Sequence, residues 1–264
     1  MRKTRRPSIR RAHENLPTRG AAAIRWRLRT ARAVLRPAFM ARRHIGLGPA
    51  DVGLVSYPRS GSNWLSLMLA ELLVGHDVDF FTRPYPIPWI ADYREAPRLL
   101  RGDGRLVKSH EPYRPEYNRV IYVVRHPVAV AQSYHRAAVA LGLPPLDPER
   151  FTEAWLAGTL SGAGTWNSHV LGWLDSDAEP LVIRYERLVE RPENELALIA
   201  EFLRLPVDKA AVRAAIAHNS LERSTQKRAD LRLPPPQTAG LAQRHVDAIV
   251  AAARPAMSRL GYQG

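Results

Sequence analysis

Val52-Gly53-Leu54-Val55, then Tyr57-Pro58-Arg59-Ser60-Gly61-Ser62-Asn63-Trp64, then Leu65-Ser66-Leu67-Met68-Leu69-Ala70-Glu71-Leu72-Leu73: the order is a buried strand, a tight polar turn and a helix. That geometry aims backbone N–H groups at an anion. Ser60 and Ser62 add hydroxyl donors, Gly61 lets the backbone come close, and Arg59 adds a fixed positive charge. The turn reads as a grip on a phosphate. It is not a Walker A loop, because Gly-x-x-x-x-Gly-Lys-Ser/Thr is absent and with it the Lys-Ser/Thr pair that serves an ATP phosphate and its Mg²⁺. The nucleotide it suggests is one whose chemistry does not need that pair.

Outward from this turn, apolar runs at 51–57, 105–109, 119–124 and 180–184 read as strands. Helical stretches near 62–75, 127–141, 150–158, 165–175, 192–204 and 208–218 alternate with them. Such alternation implies an α/β fold with a central parallel sheet flanked by helices on both faces. Ligands of such sheets bind beyond the carboxyl ends of the strands. The Arg59 turn, the Lys108/His110 pair and Arg125 all fall at such ends, so one rim gathers them.

Composition narrows the partners. The net charge of +14 is concentrated in residues 1–45, which hold 14 Lys/Arg against one acid, Glu14; residues 46–264 are nearly balanced. The domains expected are therefore a basic N-terminal arm, 1–45, and a catalytic domain, 46–264. Specific nucleic-acid binding by the whole domain loses its support. Met1 to Gly20 reads as disordered. Ala21 to Arg36 reads as an amphipathic helix, with Ile24, Leu28, Ala31 and Leu35 on one stripe and arginines flanking it. Such a helix can lie on an anionic membrane surface or pack on the catalytic domain. The Arg-rich, acid-poor start is also similar to an organelle transit peptide, and it lacks the long apolar region of a secretory signal. No stretch has the length and apolarity of a transmembrane helix. There is no cysteine, which excludes disulfides and thiolate chemistry, and no metal-ligand spacing such as His-Glu-x-x-His. A cytoplasmic protein without a metal is expected.

Tyr57 to Trp64 resembles the 5′-phosphosulfate loop of sulfotransferases that use 3′-phosphoadenosine 5′-phosphosulfate (PAPS). Further segments follow in that family's order. Arg105-Leu106-Val107-Lys108-Ser109-His110 resembles its strand ending in Lys-Ser/Thr-His. Arg119 to Pro127, running on to Gln132-Ser133-Tyr134, resembles its 3′-phosphate motif, with Arg125 and Ser133 eight residues apart. Gly164 to Val170 with Trp173, and Ile183 to Leu188, resemble two more blocks. The resemblance covers roughly residues 51 to 204, with an echo in Leu260-Gly261-Tyr262. It implies the P-loop-kinase-like sulfotransferase fold and PAPS as sulfuryl donor. Arg59, Ser60, Gly61, Ser62, Asn63, Trp64, Arg125, Ser133 and Tyr185 would then bind the nucleotide, with Trp64 stacked on adenine.

Lys108 and His110 are two apart on a strand and so face one side. Imidazole titrates near neutrality and suits a general base toward an acceptor hydroxyl or amine; the family's base sits at the matching position. Lys108 and Arg59 answer the charge that develops on the departing phosphate. Many family members carry Lys where this chain has Arg59, and Arg is planar and bidentate, so its detailed role can differ. Set against these readings, a lone His is more often structural, Lys and Arg are ordinarily surface cations, and Arg125 can be a strand-end salt bridge. His169 and Trp166 read as core or acceptor-side packing, and Glu186 as local structure. Residues 82–97 interleave Pro84, Pro86, Pro88 and Pro97 with Tyr85, Trp89 and Tyr93. These aromatics either wall an acceptor site or pack the loop to the core. Residues 142–149 form a second proline-rich loop, read as a candidate lid.

Past residue 204 the family's Arg-Lys-Gly segment has no clear match, Leu221 stands where an adenine-facing aromatic is expected, and the C-terminal dimer motif is absent. Arg223, Lys227, Arg228 and Arg232 are the candidate replacement cations. The expected activity is sulfuryl transfer from PAPS to a small-molecule, lipid or glycan acceptor. Two rivals stand beside it: a nucleotide kinase or NTPase of related fold, and a non-catalytic sulfotransferase-like module. The acceptor and the oligomeric state are not legible in the sequence.

Overall fold

The computed structural model describes residues 44, 46–76, 78, 86–140, 147–220 and 240–263. The chain divides into two units between Ile45 and Gly46. The helix expected over 21–36, the loop residues Pro84 and Tyr85, the lid residues 142–146, Leu221 and all four replacement cations lie outside the described residues.

Within the second unit, four strands form one sheet: β1 (Val52–Ser56), β2 (Leu106–Ser109), β3 (Val120–Val124) and β4 (Leu181–Arg184). Their order is β2-β1-β3-β4 and every pairing is parallel. The first three strands are buried along their whole length, as both faces are covered. Alternation sorts their side chains. Val55, Val107, Val120, Tyr122 and Val124 enter one apolar layer, and Val52, Leu54, Leu106, Ile121, Val123 and Ile183 enter the other.

The second layer is closed by helices α1 (Ser62–Val74), α5 (Tyr185–Glu190), α6 (Pro192–Leu203) and α7 (Lys209–His218), through residues such as Leu65, Met68, Leu188, Leu196 and Ala215. The first is closed by α2 (Pro127–Ala140), α3 (Pro148–Leu156), α4 (Trp166–Leu174) and α8 (Gln243–Leu260), through Val130, Trp155, Trp166, Trp173, Ile249 and Met257. Helices α5 and α8 were not expected from the sequence. α8 carries Pro255 inside it; Asn167 Oδ1 accepts the following N–H, that of Ala256, at 3.1 Å. α3 begins where Asp147 accepts from the N–H groups of Glu149 and Arg150, with Pro148 at its first position.

The amino end of the sheet is tied by a buried charge pair. Asp51 accepts from the backbone N–H groups of Arg105 (2.7 Å) and Gly48 (2.8 Å), and its carboxylate stands 3.7 Å from the Arg105 guanidinium. Arg105 donates onward to the carbonyls of Ala96 and Arg94. Removing one partner of a buried pair strands the other charge. Asp51→Ala is therefore expected to lower unfolding stability by about 3 kcal/mol, read by chemical denaturation. A loss under about 1 kcal/mol would show that the pair is surface-like.

Candidate active site

Because all four strands run parallel, their carboxyl ends share one edge. There Ser56 leads into the Tyr57–Ser60 turn, Ser109 into His110, Val124 into Arg125, and Arg184 into Tyr185. The chain leaves β1 for β2 on one side and reaches β3 on the other, so the crevice opens beside the β1 turn.

The turn has the geometry of an anion-receiving helix start. Arg59 has φ 73° and Gly61 φ 98°, two left-handed residues that reverse the chain within three positions. A Cβ on Gly61 would lie 2.2 Å from Tyr185 Cδ2, so only glycine fits. Gly61 caps α1, yet no side chain caps that helix and no carboxylate sits in its first turn. Its N-terminal donors thus face the crevice with a favourable dipole. Ser60 is fully buried and its Oγ has no hydrogen-bond partner. An orphaned buried hydroxyl at such a helix start is what an absent anion would satisfy. Ser56 Oγ donates to Ser62 Oγ at 2.8 Å and fixes the second hydroxyl.

Lys108 and His110 meet at Trp89. Lys108 is fully buried; its Nζ donates to Asn63 Oδ1 and stands 4.6 Å from the Trp89 ring centre. The His110 ring meets the same indole edge-on at 5.0 Å. Trp89 is held there because the backbone around it pairs with β2: Lys108 N donates to Pro88 O and Ile90 N to Lys108 O. Of the aromatics in the 82–97 loop, Trp89 is therefore a site residue, whereas Tyr93 is buried in the core.

His110 Nδ1 lies 2.7 Å from the carbonyl oxygen of Ser56. A carbonyl only accepts, so Nδ1 carries the proton and the neutral ring keeps its lone pair on Nε2. Burial, and then the Lys108 ammonium, hold the His110 pKa down at about 3.

The remaining residues divide between two clusters. Arg59 Nε donates to Ser133 Oγ at 3.2 Å, linking the β1 turn to α2. Arg125 does not pair with Ser133 here; its guanidinium lies 4.3 Å over the Tyr185 ring. Tyr185 also meets Trp64 edge-on at 6.1 Å, and Trp64 Nε1 donates to the carbonyl of Asn219 at 2.5 Å. Glu186 accepts from His126 N (2.9 Å) and from the Tyr262 hydroxyl (2.8 Å), a local brace for the Arg125 turn. His169 and Trp166 are buried in the core. His169 bonds the Tyr122 hydroxyl at 2.8 Å, and burial lowers its pKa to about 4. Among the described residues no three His, Asp or Glu side chains group as a metal site would.

Ser56 and Asn219 stand at this site without having been singled out in the sequence, whereas Trp89 was one of the aromatics read as an acceptor wall or loop packing. Ser56 ends β1, and the register that pairs Val55 with Ser109 sets it beside His110, the residue after β2. Asn219 contributes a main-chain carbonyl, which leaves no mark in a side-chain pattern.

A family model described as a sulfotransferase domain matches residues 49–232. Sulfotransferase 2B1 of Rattus norvegicus is 31% identical over 186 residues, which cover 64% of this chain and 54% of that protein. The chain thus spans about half the length of such a relative. Among solved structures, mouse sulfotransferase SULT7A1 complexed with PAP superposes with a TM-score of 0.61 at 19% identity, covering 84% of this chain and 88% of that one. Retinol dehydratase in a complex with retinol and PAP gives 0.64 at 15% identity, covering 83% and 86%. At such identities the structural likeness speaks for the fold.

The tautomer and the low pKa predict that His110 stays neutral, protonated on Nδ1, from pH 8 down to pH 5 in the free protein. Histidine ¹⁵N NMR would show it, and titration near the ordinary 6.5 would contradict it. The linked stability follows in sign: the contribution is complete above pH 6.5, where the unfolded ring is also neutral, and declines as pH falls toward 3.

Proposed function

The chain belongs to the sulfotransferase domain family, and from that membership we propose that it transfers a sulfuryl group from PAPS to a hydroxyl or amine acceptor, with His110 as general base. The observation that carries this reading is the pairing of a fully buried lysine and a neutral histidine on one tryptophan, beside a helix start that no side chain caps. The solved relatives named above hold PAP, which is adenosine 3′,5′-bisphosphate, the nucleotide left when PAPS gives up its sulfuryl group.

The residues present fit such a donor. The uncapped start of α1, the orphaned Ser60 hydroxyl and the Lys108 ammonium suit its phosphosulfate. Arg125 and Ser133 are the 3′-phosphate candidates, and Trp64 the face for adenine. When bound, PAPS supplies an electrophilic sulfur and a phosphate leaving group. His110 Nε2 takes the acceptor proton as the acceptor atom bonds to sulfur. The sulfur–oxygen bond to the 5′-phosphate breaks, and its electron pair stays on the phosphate. Lys108 and Arg59 stabilise that charge where it grows.

The electrostatics make the base conditional. In the free protein Lys108 depresses His110. Burial is the larger cause and persists, while an anion bound against Lys108 offsets the smaller one. The His110 pKa is accordingly expected to rise on adding PAP, which the same NMR titration would show; an unchanged value would break the link between Lys108 and the donor.

The direct test is transfer of ³⁵S from labelled PAPS by the full chain to a panel of alcohols, phenols, amines, lipids and glycans. His110→Ala is expected to lower turnover by about 10²- to 10⁴-fold while PAP binding is retained. Near-normal turnover by that variant would remove His110 as the base. Transfer to no acceptor in the panel, together with Mg²⁺-dependent ATP turnover, would favour a nucleotide kinase or NTPase.

A further inference from the structure

Glu71 lies two helical turns beyond Trp64 on α1, on the same side of the helix, and is 6% exposed. Both carboxylate oxygens are engaged, and both bonds go to the end of α7. Oε1 accepts from His218 Nδ1 at 2.7 Å, and Oε2 accepts from Asn219 Nδ2 at 3.0 Å. Asn219 ends α7 and is itself 2% exposed, and its carbonyl is the acceptor for Trp64 Nε1. Carboxylate, amide and indole thus form one chain of bonds that leaves α1 at Glu71 and returns to α1 at Trp64.

A buried carboxylate is costly unless fully paired. Docking of α7 on α1 does not require one, because Met68, Leu69 and Leu72 already share an apolar cluster with Val212 and Ala215. What the carboxylate adds is direction. Together with the Ala215 carbonyl, which also accepts from Asn219 Nδ2 and from Asn219 N, it holds the Asn219 amide, and hence the adjoining carbonyl, where the indole N–H must point. That bond fixes rotation of the Trp64 ring in its own plane, and the steeply angled contact with Tyr185 limits its tilt. A ring held in both ways presents a settled face for stacking.

We propose that Glu71 is a positioning residue for the nucleotide base, setting the plane of Trp64 through Asn219. The proposal rests on the PAPS reading above, in which Trp64 faces adenine. It concerns the base end of the ligand: the hydrogen bonds from Glu71 lead to Trp64, and none of them reaches Ser60, Lys108, Arg125 or Ser133.

The test is calorimetric titration of the full chain with PAP and with a base-free ribose 3,5-bisphosphate, for the native chain, Glu71→Met and Glu71→Gln. Glu71→Met keeps the shape and removes both acceptors. It is expected to weaken PAP by about tenfold, leave the base-free ligand unchanged, and raise the donor KM without lowering kcat. Glu71→Gln can accept from Asn219 and donate to the other His218 tautomer, so it is expected to stay within about threefold of the native chain. Trp64→Phe deletes the indole N–H. In that background Glu71→Met should add little further loss, since the two changes cut one chain of bonds. Where Glu71→Met does not fold, Asn219→Ala cuts the same link and is read for the same pattern. Equal PAP affinity for the native chain and Glu71→Met overturns this proposal alone. Equal losses for both ligands also overturn it, because the residue is then merely structural. A native chain that binds neither ligand overturns the PAPS reading, and this proposal with it.

Discussion

The contact on which the site depends is the approach of Gly61 to Tyr185. It is closer than any side chain at position 61 would allow: a Cβ there would stand 2.2 Å from Tyr185 Cδ2 and 2.6 Å from Cε2. It brings the turn after β1 against the residue that follows β4, across the strand between them. From that point Tyr185 does three things at once. It backs the turn, it carries the Arg125 guanidinium on its face, and it makes a steeply angled ring contact with Trp64. The φ of 98° at Gly61 serves the same end, because it starts α1 there with its free N–H groups toward the crevice. A bulkier residue would part the turn from Tyr185, and with it the seats of both Arg125 and Trp64.

A second constraint is electrostatic. Lys108 is fully buried, and His110, two residues on, is kept neutral partly by that charge. Trp89 touches both: the ammonium lies over its ring, and the imidazole meets it at a steep angle. A buried cation near a helix start leaves the crevice short of negative charge, and the orphaned Ser60 hydroxyl adds to that. The imidazole stays neutral in this setting, through burial first and the Lys108 charge second.

Much of this was legible in the sequence because each strand ends beside a polar motif. The apolar runs end at Ser56, Ser109, Val124 and Arg184, within a residue of where the polar motifs begin. The parallel sheet then follows from alternation with helices. α5 was missed because Tyr185 to Glu190 buries only Leu188 and continues directly from Arg184, so no periodicity marks it. α8 was missed because Pro255 argues against a helix interior; tertiary packing of Ile249, Ala253, Ala256 and Met257 overrides that preference, with Asn167 taking the Ala256 N–H. The Arg125–Ser133 spacing placed both residues on the rim, yet Ser133 pairs with Arg59 and Arg125 rests on Tyr185. Spacing along a chain does not encode these contacts between side chains. Nor did it reveal Glu71, whose partners are 147 and 148 residues away.

The central claim is that this rim reads a nucleotide by phosphates at both its 3′ and 5′ positions. The most direct measurement is calorimetric titration of the full chain with adenosine 3′,5′-bisphosphate and, separately, with AMP. The account predicts clear preference for the bisphosphate, by tenfold or more, since a second phosphate held by Arg125 is a charge-assisted contact. Equal affinity for the two, or binding of neither, would contradict it.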